Sequence, residues 1–113
     1  MSVTVEPTQY VVTAVPADLQ DHIDADCFQL TIERRARDKW AVIRRTMCWD
    51  DTTQKWVSEP TPSSRSDKFK ARTRYPLDMA LAIAQRLAPE QRIMGLTIDA
   101  WVERVRQDQE NQP

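Results

Sequence analysis

The stretch Cys27 to Trp49, CFQLTIERRARDKWAVIRRTMCW, most constrains the fold of this 113-residue chain. Phe28, Leu30 and Ile32 alternate with Gln29, Thr31 and Glu33. That two-residue period marks a half-buried strand. Trp40 to Trp49 is rich in Trp, Val, Ile and Thr, which suit a pleated surface, and forms a second arm. The tip Ala36-Arg37-Asp38-Lys39 is polar and has no glycine, so a four-residue loop is expected in place of a tight turn with positive φ. The pairing then sets Ile32 opposite Ile43, Phe28 opposite Met47 and Cys27 opposite Cys48. Phe28, Leu30, Ile32, Ala41, Ile43, Met47 and Trp49 share one face in this register. Trp40, Arg35 and Arg44 share the other, and a one-residue slip would exchange the faces.

Thr8 to Val15 alternates in the same way and predicts a first strand, ended by Pro16. Ala17 to Asp26 is an acidic connection with one helical turn. Beyond the hairpin, Lys55 to Ser58 predicts a returning strand that sets Trp49 against Trp56 and Asp50 against Lys55. Glu59 to Ser66 is rich in Pro and Ser and reads as a loop. Leu77, Ala80, Leu81, Ala84, Leu87 and Ala88 keep helical spacing after Pro76, which predicts a helix over 77–88. Gln91 to Met94 is a short strand or an extended link, turned by Gly95. Thr97 is an N-cap for a helix over 98–107, whose Ile98, Trp101, Val102 and Val105 form an apolar stripe. The expectation is one α+β domain over 1–113. It has an antiparallel sheet of three or four strands, two helices on one face, and frayed ends at 1–7 and 108–113. Trp49, Trp56 and Trp101 are core candidates, with Trp40 on the opposite face.

Composition removes several function classes. One glycine excludes Gly-rich phosphate loops and dinucleotide fingerprints. No apolar run could span a bilayer. The opening MSVTVEPTQY has no basic stretch followed by an apolar one, so no secretory signal is expected and the cytoplasm is the expected address. There Cys27 and Cys48 are thiols, packed beside each other.

Charge is unevenly distributed along the chain. Residues 1–33 hold six acids and no Lys or Arg. Residues 34–74 hold twelve basic residues against five acids, and residues 75–113 hold four against six. The basic middle could serve a polyanion, or it could lie against the acidic start.

The order strand–strand–strand–helix, with the helix opening RYPLDMALAIAQRLA, resembles the small sheet-plus-helix DNA-binding domains of the AP2 type and of integrase arm-binding modules. The resemblance spans about residues 28–88. It implies a sheet laid in the major groove and backed by an alanine-spaced helix, although those families' glycines are missing here. Through KWAVIRR, KWVSEP, YPLDMALAIA and LTIDAWVE the whole chain also resembles small uncharacterised proteins of actinobacteria and their phages. That likeness implies a context and no mechanism.

Three functional readings follow. The first is a non-catalytic protein-binding domain, of the kind a phage effector uses on a host protein, with Trp40, Arg35 and Arg44 as the binding patch. The second is nucleic-acid binding through 34–74, with Arg37, Lys39, Lys68, Lys70, Arg72 and Arg74 as phosphate contacts. In an extended DKFKARTR, Lys68, Lys70, Arg72 and Arg74 would line one side. The third, an enzyme, is not expected, because the single His22 has no nucleophile partner and the Asp50-Asp51 pair sits in a turn. His22, Asp24, Asp26 and Cys27 are of metal-ligand type, but they lack the paired spacing of a zinc site. Neither metal nor cofactor is expected.

Overall fold

The computed structural model describes residues 2–112. Five strands form an antiparallel meander in chain order: β1 (Gln9–Val12), β2 (Leu30–Ala36), β3 (Lys39–Arg44), β4 (Met47–Asp50) and β5 (Lys55–Ser58). Three helices follow, α1 (Asp67–Thr73), α2 (Leu77–Leu87) and α3 (Ile98–Glu110). A small hairpin of β6 (Arg92–Ile93) and β7 (Leu96–Thr97) separates the last two. The α+β class is as the sequence indicates, with more strands.

The extra strand comes from the second arm of the central hairpin. Trp40 to Trp49 is two strands, folded back at Arg45-Thr46, where Arg45 takes φ +56°. The β2–β3 tip also turns within two residues, Arg37 and Asp38, instead of the expected four-residue loop. Asp38 supplies the left-handed backbone at φ +54°, a conformation that a short polar side chain tolerates without glycine.

The expected pairing of β2 and β3 holds only at Ala36 and Lys39. A bulge at Arg35 then shifts it by one residue, so that Ile32 lies opposite Val42 and Thr31 opposite Ile43. Every β3 side chain therefore sits on the face opposite to the expected one. Leu30, Ile32, Trp40 and Val42 join under α2, and Trp40 is only 6% exposed. Ala80 and Ala84 let the backbone of α2 approach this surface closely, with Ile83 and Leu87 filling its flanks. Ala41, Ile43 and Cys48 occupy the second face beside Val57 of β5, and Phe69 of α1 packs against them.

The helices thus lie on different surfaces. α2 covers one sheet face and α1 the other. α3 packs with Val15, Leu19, Ala25 and Phe28 of the N-terminal connection as a separate cluster around Trp101. Phe28 and Cys27 belong to a 3-10 turn, so neither expected pairing, Phe28 with Met47 or Cys27 with Cys48, forms. Cys48 pairs with Ile43 and Val57, and burial pushes its thiol pKa up. α3 continues to Glu110, through part of the tail expected to fray. Trp49 and Trp56 meet as expected, with ring centroids 5.1 Å apart. No helix among the described residues is long and apolar enough to cross a membrane.

Candidate functional site

DKFKARTR is not extended. Ser66 caps it as a helix, accepting a hydrogen bond from Phe69 N–H at 3.1 Å, and Asp67 occupies the first turn. Helical geometry separates the four cations expected in a row. Arg72 turns towards the buried Asp50 carboxylate at 3.5 Å, while Lys70 and Arg74 face the tip of the β2–β3 hairpin. A short antiparallel bridge between Trp40 and Tyr75 holds α1 beside that tip, with backbone hydrogen bonds of 2.8 and 2.9 Å.

Glu59 lies in the loop after β5 and gathers three guanidiniums. Arg35, aimed by the bulge, grips it through two parallel hydrogen bonds of 2.8 Å from Nε and Nη2. Arg74 donates to it at 2.9 Å, and Arg65 approaches to 3.4 Å. Arg65 also donates to the Pro60 carbonyl, and Glu33 lies 3.4 Å from Arg35. The Arg35 hydrogen bonds, with the Arg65 and Arg74 charges, hold the Glu59 carboxyl below its usual pKa. Arg35 is raised in turn by its hydrogen bonds to Glu59. Arg74 shifts the other way, because burial outweighs its share of Glu59 and because Arg35 and Arg65 repel it. The Arg74 side chain is only 6% exposed.

The three guanidiniums of this cluster also line a cleft of about 280 Å³, together with Ala36, Lys39, Pro62 and Lys70. The lining holds five basic residues and no acid. Lys39 and Lys70 form no ion pair among the described residues, so their ammonium groups are available at its rim. A neighbouring hollow shares Lys39, Lys70 and Arg74 but adds Asp38 and Asp67.

Of the residues expected to bind protein, only Arg35 lies in this cleft. Trp40 is core, and Arg44 donates to the Arg92 carbonyl at 3.2 Å. Of the expected phosphate contacts, Lys39, Lys70 and Arg74 line the cleft, whereas Arg37, Lys68 and Arg72 do not. Arg65, one of the cations of the basic segment 34–74, also lines the cleft, and Glu59, which was not among the expected contacts, completes the site. Its signal is compositional: Glu59 is the one acid between Asp51 and Asp67, in the most basic part of the chain.

The other candidates serve local structure. Asp50 accepts hydrogen bonds from Thr52 N–H and Thr53 N–H, closing the β4–β5 turn. His22 Nδ1 accepts from Asp24 N–H, and its ring meets Trp101 edge-on at 5.3 Å. Among the described residues no three His, Cys, Asp or Glu side chains converge as metal ligands. No family model, curated protein or solved structure matches the chain.

Proposed function

We propose that this chain is a non-catalytic binding domain that takes hold of nucleic acid through its phosphates. The observation that carries the reading is the convergence of Arg35, Lys39, Arg65, Lys70 and Arg74 on one cleft without an acidic lining residue. Guanidinium groups match phosphate oxygens in pairs, and lysine adds a mobile point charge. Glu59 orients the guanidiniums but cannot neutralise three of them. The acidic N-terminal third does not close the cleft, since none of its carboxylates lines it. The test is binding of labelled single-stranded and duplex DNA and RNA by the wild type and by a Lys39→Glu/Lys70→Glu double variant. Both substitutions lie at exposed positions, so folding should persist while binding is lost. Equal binding by the two proteins would place any nucleic-acid contact elsewhere.

A protein partner, including the host target of a phage-type effector, has one feature in its favour. A groove between the β6–β7 hairpin, α3 and the N-terminal connection is lined by Ile93, Met94, Leu96, Trp101 and Val105 together with the polar or charged His22, Asp24, Arg104 and Asp108 and with Cys27. Met94 is 98% exposed there, against 6% for the buried Trp40. The surface for that reading is therefore this groove, and Met94→Asp tests it without touching the cationic cleft.

A further inference from the structure

The shape and surroundings of the cationic cleft support a narrower conclusion, which rests on the nucleic-acid reading. We propose that the phosphate it receives is a chain end, a phosphomonoester, and not a diester within a continuous backbone.

The first argument is arrangement. A groove that tracks a backbone carries its cations in a row, so that successive phosphates each find one. Here five cations come from three separate segments: the β2–β3 hairpin, the loop after β5, and the α1 region. They meet around one concavity of about 280 Å³. That volume lies at the small end of ligand pockets and suits one compact group.

The second argument is charge. Glu59 and Glu33 are the carboxylates bound to the lining cations, so five positive charges against two negative leave an excess of three. A diester offers one negative charge. A terminal phosphate offers nearly two at neutral pH, on three acceptor oxygens. Arg74 is buried and underneutralised, which a doubly charged ligand would relieve.

The third argument is the exit. A backbone continuing from the cleft across Lys39, Lys70 and Arg74 would enter the neighbouring hollow, where Asp38 and Asp67 would repel it. A chain that ends in the cleft does not meet them. The fixed guanidiniums would supply the directional contacts, and Lys39 and Lys70 would close over the free oxygens.

The test uses fluorescence anisotropy with one single-stranded oligonucleotide in three forms: terminal phosphate on the 5′ end, on the 3′ end, and on neither. The wild type should bind one of the phosphorylated forms about tenfold or more tighter, the equivalent of one or two charge-assisted hydrogen bonds. Lys39→Glu/Lys70→Glu should erase that preference. Equal affinity for all three forms would overturn the chain-end inference and leave the nucleic-acid reading standing. A preference that survives in the variant would move the end site elsewhere and overturn the assignment to this cleft. No binding of any form at low salt would overturn both.

Discussion

Arg35 and Glu59 are joined by two parallel hydrogen bonds of 2.8 Å across 24 residues of sequence. This pair fastens the loop after β5 to the bulged edge of β2, and Arg74 ties α1 to the same carboxylate. Removing that carboxylate leaves three guanidiniums facing one another, two of them largely buried. Glu59→Gln should therefore cost roughly 3 kcal/mol. Urea denaturation at neutral pH reads the loss as a lower midpoint with an unchanged slope.

The same pair fixes a pH dependence. The folded-state pKa of Glu59 is depressed, so its unfolded state binds a proton more readily. The stability it contributes is complete above the ordinary carboxyl value of 4.5 and disappears as pH falls through the lower folded value. Denaturation midpoints of wild type and Glu59→Gln should converge on acidification below that point. A gap that stayed constant with pH would mean that Glu59 contributes through packing.

Trp40 tests the register. It packs beneath α2 against Tyr10, with ring centroids 5.6 Å apart. Trp40→Ala should cost about 3–5 kcal/mol. Lys39→Glu, one residue away and exposed, should stay within about 0.5 kcal/mol of wild type. Thermal unfolding of the two variants side by side separates the observed register from one shifted by a residue.

Asp50 is 1% exposed and accepts from two turn N–H groups. Asp50→Ala leaves both donors without their acceptor and removes the charge facing Arg72. A loss of about 1–3 kcal/mol is expected. Hydrogen exchange should rise first at Thr52 and Thr53.

The positions of α2 and α3 and the β4–β5 register were legible because they rest on local signals. These were alanine spacing before Pro89, Thr97 as a cap, and a polar four-residue turn between Trp49 and Trp56. The β2–β3 faces were not, because the register depends on one bulged residue, and Arg35 carries no local mark of a bulge. Both faces of β3 are buried, so its apolar run lacks the alternation that would have exposed the slip. DKFKARTR misled for a similar reason. Its alternating basic residues fit a strand, but Ser66 followed by Asp67 starts a helix. The cationic cleft was visible only as a charge excess. Its members lie up to 39 residues apart and meet through the fold, and Glu59 organises them from a stretch that sequence marks only as a Pro- and Ser-rich loop.

The most direct test of the central claim is the salt dependence of nucleic-acid binding by the wild type and by Lys39→Glu/Lys70→Glu. Each phosphate neutralised contributes about 0.7–0.9 to the slope of log affinity against log salt. The wild type should bind a terminally phosphorylated strand with a slope of roughly one to two, as one doubly charged phosphate requires, and the variant should lose most of that slope while keeping its fold. Equal slopes, or no binding by the wild type at low salt, would contradict the account.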